Sequence, residues 1–180
     1  VVVMQFISMG LRFGTFSITL TLIPIVVGSA LYGWGSGAWL GFVFGVTVLL
    51  TGDANLFLAV NIPGTIITVI LKGTLAGAAA GFVYKLISKK NQIAAVIVSA
   101  VVAPVVNTGI FVLGSYVFFF DYLSGLAEGT NLFVFILVGL VGINFFIELG
   151  INLVLNPAIL QIIRIGKKNF GGKNQIIKTK

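Results

Sequence analysis

Residues 65–83 form an unbroken apolar run of Ile, Leu, Val, Ala, Gly, Thr and Phe into which one charge, Lys72, is set. A second run, 133–155, holds a single charge, Glu148. Runs of about 20 apolar residues cross a bilayer as helices, because a helix satisfies its own backbone where no water is available. A charge at the bilayer centre costs about 3 kcal/mol or more unless it faces protein, water or a partner. Lys72 and Glu148 are therefore the first candidates for function.

The rest of the chain agrees with a membrane location. It is 58% hydrophobic and 8% charged, with mean hydropathy +1.16, where soluble domains carry about 25% charged residues. It has no Cys and no His, which excludes disulfides, thiol metal sites, His-based catalysis and the usual zinc sites. The net charge of +7 does not mark a nucleic-acid surface. Lys85, Lys89 and Lys90 sit in one loop; Arg164, Lys167, Lys168, Lys173, Lys178 and Lys180 sit in the tail. That clustering is the positive-inside pattern, with contact to anionic lipid.

The expected fold is an all-α integral membrane protein with six transmembrane helices and both termini cytoplasmic. The runs are 1–11, 18–32, 38–50, 62–87, 93–120 and 131–155. The first is short and opens on Val1, so its helix is expected to be cut at its N-terminus. Residues 12–17, 33–37, 51–55, 88–91 and 121–130 read as the connections. Asn156-Pro157 marks a helix boundary or kink. Residues 1–165 form the membrane domain and 166–180 a basic cytoplasmic tail. Trp34 and Trp39 flank an inner turn and suit an interfacial belt. Small residues recur every four positions: Gly37, Gly41 and Gly45; Gly73, Gly77 and Gly81; Ala95, Ser99 and Ala103. Such stripes let helices approach closely, either within this chain or against a second membrane subunit.

At about 1.5 Å per residue, Lys72, Asn107 and Asn144 reach similar depths on three helices. Pro104 frees a backbone carbonyl near Asn107, and Thr108 adds a hydroxyl. Asn144, Glu148 and Asn152 are spaced to share one helix face. Two readings stand. Lys72 and Glu148 pair and pin two helices together, or the group forms a pocket for a small polar solute. In the second, Lys72 meets an anionic group, Asn107, Asn144 and Thr108 supply hydrogen bonds, and Glu148 supports Lys72. Arg12, Asn55 and Asn61, in loops at the outer mouth, complete the candidate substrate-binding set.

The chain lacks a Walker A pattern, a clear inverted repeat, a paired-carboxylate site and a nucleophile–base pair. It fits a solute-capturing subunit that draws its energy from partners. An intramembrane enzyme using Glu148 and Lys72 as acid and base, or a purely structural subunit, are the competing classes.

Ile18-Thr-Leu-Thr-Leu-Ile-Pro-Ile-Val-Val-Gly-Ser-Ala-Leu-Tyr-Gly33 and Gly37-Ala-Trp-Leu-Gly-Phe-Val-Phe-Gly45 resemble the substrate-binding S component of energy-coupling factor (ECF) vitamin transporters. The similarity runs on through Leu71-Lys-Gly-Thr-Leu-Ala-Gly77 and Pro104-Val-Val-Asn-Thr-Gly-Ile-Phe111 to Asn156-Pro157. The segments 71–77 and 107–111 look most like pantothenate-type members. The resemblance implies a six-helix fold with an outward-facing vitamin site in a bacterial plasma membrane. It implies a membrane scaffold subunit and two ATPases as partners, with no cofactor. Pyridoxine, a hydroxymethylpyrimidine or riboflavin are alternative solutes. Family members often dock through an Ala-xxx-Ala face on the first helix, and residues 1–10 show none. Docking is then expected upstream of Val1 or through the glycine stripes.

Overall fold

The computed structural model describes residues 1–10, 12–13, 16–17 and 20–171. Its helices are α1 (Val2–Gly10), α2 (Leu22–Tyr32), α3 (Trp34–Leu50), α4 (Asn55–Leu58), α5 (Ile62–Ser88), α6 (Gln92–Phe118), α7 (Phe120–Leu126), α8 (Leu132–Val134), α9 (Ile143–Val154) and α10 (Asn156–Gly171). A π-helical stretch, Phe135–Gly142, joins α8 to α9.

The long pair α5 and α6 have 27 residues each, about 40 Å at 1.5 Å per residue, against an apolar core of about 30 Å. Both start on asparagine caps. The Asn61 side chain accepts from Gly64 N at 2.9 Å, and the Asn91 side chain accepts from Ile93 N and Ala94 N. These side chains satisfy amide groups that would otherwise be left without partners at a helix start. Among the described residues, two helices are thus long and apolar enough to cross a membrane, and a third span is available if the bent pair 132–142 and 144–154 counts as one. That pair is bent by 43°. The apolar helices α2 and α3 have 11 and 17 residues, below the length of a full straight span.

The local structure departs from the sequence reading at several connections. Residues read as a loop at 12–17 contain two short strands, β1 (Arg12–Phe13) and β2 (Phe16–Ser17), paired antiparallel. The turn read at 33–37 shrinks to Gly33 alone, whose φ of 95° only glycine adopts without strain, so α3 begins at Trp34. The connection read at 121–130 is mostly α7, followed by a turn at Glu128 and Gly129. Past the boundary at Asn156-Pro157, α10 continues to Gly171, into the segment read as tail. Lys173, Lys178 and Lys180 fall outside the described residues.

α5 lies between α3 and α6. Gly37 meets Gly77 and Gly41 meets Gly73, backbone against backbone, and a Cβ on Gly45 would stand 2.9 Å from Val69 O. The glycine stripes of α3 and α5 are buried against each other. That assigns them to packing within the chain and corrects the expectation that they could dock a second subunit: no room is left for another backbone.

Three apolar clusters fill the bundle. One joins Val26, Ala80, Tyr84, Val96, Ile159 and Ile163 at the α10 end. A second joins Leu22, Ile25, Phe44, Val48 and Val69. A third joins Val112, Phe119, Leu123, Ile136 and Val141. The second and third do not meet: a cavity lies between them, and Phe44, Val48 and Val69 form one wall and Leu123 and Val141 the other.

Candidate functional site

The cavity measures about 310 Å³, at the small end of the roughly 300–1,000 Å³ typical of small-molecule sites. α5 contributes Lys72 from the middle of its length, and α6 contributes Asn107, Thr108 and Phe111. α9 contributes Asn144, Phe145 and Glu148. Asp53, Ala54, Leu56 and Phe57 from the α3–α4 region, with Tyr122, Leu123 and Leu126 of α7, complete the rim. Three sequence-distant helices thus supply polar groups to one largely apolar chamber with aromatic walls.

The Lys72 ammonium stands 5.2 Å from the Phe111 ring centre and 6.0 Å from that of Phe44. A cation against aromatic faces gains about 0.5–2 kcal/mol, more as water is excluded. The carboxylates of Glu148 and Asp53 both act on the same ammonium. Glu148 is 5% exposed, and its backbone carbonyl accepts from Asn152 Nδ2 at 2.8 Å. Asn107 is also 5% exposed, and its Oδ1 has no hydrogen-bond partner among the described residues. A buried amide oxygen left in that state costs about 1–3 kcal/mol, which a ligand donor or an ordered water can recover. A proton donor on the solute is therefore the natural complement of Asn107, and an anionic group that of Lys72. Phe57 stacks edge-on against Phe111 and Phe119, with ring centres 5.5 and 5.0 Å apart, which stiffens the wall behind Lys72.

The family model for the substrate-specific component of ECF transporters matches residues 1–160. The chain belongs to that family. It is a transport protein of the cell membrane rather than an enzyme, and the family implies a substrate and the ECF module as partners. No curated protein and no solved structure matches the chain.

In this S component, five of the residues singled out from sequence, Lys72, Asn107, Thr108, Asn144 and Glu148, line one cavity. Asn55 and Asn61 do not line it. Asn55 is exposed at the start of α4. Asn61 is committed to capping α5, and its Nδ2 donates to Phe118 O at 3.2 Å, tying α5 to α6. Arg12 belongs to β1, and its side chain lies outside the described ones.

The sequence reading missed the aromatic frame, Phe44, Phe57, Phe111, Tyr122 and Phe145, because 16 Phe residues spread along the chain give no positional signal. It placed Asp53 only within the connection at 51–55. It also passed over Gln5, which donates from Nε2 to Asp53 Oδ2 at 3.2 Å and accepts from Thr21 Oγ1 at 3.2 Å. A signal for Gln5 existed: it is the one amide side chain in the first apolar run.

Proposed function

We propose that this S component captures pantothenate, or a vitamin of similar size that combines a carboxylate with hydroxyl or amide donors. The observation that carries the reading is the pairing, in one small chamber, of a ring-flanked ammonium at Lys72 with the unsatisfied buried oxygen of Asn107. Pantothenate carries a carboxylate for the first, and an amide N–H and hydroxyls for the second, on one short flexible chain. The apolar majority of the wall accepts its methyl groups and methylenes.

In this reading the bundle makes six crossings, with α1, α2 and α3 tilted or short for a full span. The α10 end faces the cytoplasm. Support comes from charge: Lys85, Lys89, Lys90, Arg164, Lys167 and Lys168 are all exposed, and Lys167 reaches 5.0 Å from the Tyr84 ring on α5, which draws the two basic segments to one end. The cavity rim, with Asp53 and α7, then opens outward. A scaffold subunit and two ATPases supply the energy for release.

A thermal-shift panel of B-vitamins on the purified chain tests the solute, because a ligand that binds the folded state raises its melting temperature by mass action. Pantothenate is expected to give the largest rise. A larger rise with riboflavin, pyridoxine or a hydroxymethylpyrimidine reassigns the solute within the family. No rise with any of them leaves Lys72 and Glu148 as a structural pair.

A further inference from the structure

This inference rests on the carboxylate-binding role proposed for Lys72. Two carboxylates and one ammonium share the cavity. A further anion enters only if one of the carboxylates gives way. Glu148 is buried in the middle of α9. Asp53 is half-buried in the turn between α3 and α4, next to Gly52, whose φ of +77° marks a tight bend. A turn shifts far more cheaply than a packed helix, so Asp53 is the one able to move.

Asp53 is also tethered. Gln5 is 2% exposed and uses both ends of its amide, donating to Asp53 and accepting from Thr21, which is fully buried. Because both ends are engaged, Gln5 is fixed in place. The neighbouring Ser8 Oγ accepts from Leu20 N at 3.0 Å and donates to Met4 O at 2.8 Å, which seats α1 against the start of α2. Thr21, Gln5 and Asp53 therefore form a chain of side chains from the α1–α2 junction to the cavity.

We propose that Asp53 is an internal counter-ion for Lys72, held in place by Gln5, which the carboxylate of the solute displaces on binding. Asp53 thereby determines specificity. A simple anion offers Lys72 nothing beyond what Asp53 already gives. A solute succeeds only when its other groups, reaching Asn107 and the aromatic wall, outweigh the displacement. The Lys72 charge is thus balanced within the apolar bundle before the solute arrives, and the apparent affinity for the right solute falls by the fraction of time Asp53 occupies Lys72.

Calorimetric titration of the purified full chain with pantothenate, and with its neutral alcohol panthenol, tests this. In Asp53→Asn, pantothenate is expected to bind about tenfold more tightly, while panthenol changes by less than about twofold. Gln5→Ala, which loosens the tether without altering the cavity wall, is expected to move pantothenate affinity in the same direction by a smaller factor. Unchanged or weaker pantothenate binding in Asp53→Asn overturns the counter-ion. If pantothenate does not bind the parent chain at all, melting of the unliganded Asp53→Asn, Lys72→Gln and double variants decides instead. Non-additive shifts then keep the counter-ion and reject the solute, and additive shifts overturn the counter-ion too.

Discussion

The two sides of α5 are built by opposite rules. Toward α3, Gly73 and Gly77 meet Gly41 and Gly37 so closely that backbone touches backbone. Toward α6 and α9, one residue away in sequence, Lys72 looks into a chamber kept open by Phe44, Phe111 and Phe145. Lys72 and Gly73 are separated by only about 100° around the helix axis. In lipid, no hydrophobic effect pulls helices together, so closeness has to come from small side chains and space from large ones. The sealed side is what allows the open side to exist. A helix clamped rigidly along one face can carry an otherwise costly charge on the other.

Loading the sealed side gives the largest expected effect. Gly41→Val places a Cβ against the Gly73 carbonyl, and overpacking of that kind costs about 3 kcal/mol or more. Its melting temperature is expected to fall steeply, with solute binding lost as a consequence. A variant that melts with the parent chain would show that the glycine contact is not tight.

On the open side, Lys72→Ala is expected to weaken pantothenate binding about a hundredfold, since hydrogen bonds to charged groups are worth about 1.5–3 kcal/mol. Panthenol affinity should barely move. Equal losses for both probes would remove the ammonium–carboxylate contact. Asn107→Ala is expected to weaken binding about tenfold while thermal stability stays close to that of the parent, because its Oδ1 has no partner to lose among the described residues. A large stability loss with normal affinity, measured by melting and titration together, would move Asn107 to the structural side of the comparison. The smallest effect belongs to a residue outside both faces. Asn61→Ala removes a helix cap worth about 1 kcal/mol and should leave titration curves unchanged.

What could be read in advance follows the same division. The glycine stripes, Lys72, Asn107 and Glu148 were legible because each breaks the local chemistry: a small residue at fixed spacing, or a polar one where lipid forbids it. Asn61 was read only as a possible contact for the solute, yet an asparagine before a helix serves the cap as readily. The aromatic frame was not legible, because Phe44 and Phe111 differ from other phenylalanines only in where the fold puts them. The shape of the last apolar run was not legible either. Continuous hydropathy across 131–155 does not report that the backbone widens and bends by 43° on the way.

That widening sets the phase of the site. A π-helical turn uses more residues per revolution than an α-helical one, so Phe135–Gly142 rotates everything after it relative to Asn131. Asn144 and Glu148 reach the cavity because of that accumulated rotation, one turn apart on the regular helix that follows. Removing a single residue from the stretch would let it relax to ordinary α-helix and turn α9 by about 100°. Both polar groups would swing off the cavity while every residue of the site remained in the sequence. The eight residues from Phe135 to Gly142 lend only Leu140 and Val141 to the cavity wall, yet they act as the alignment ring of the pocket.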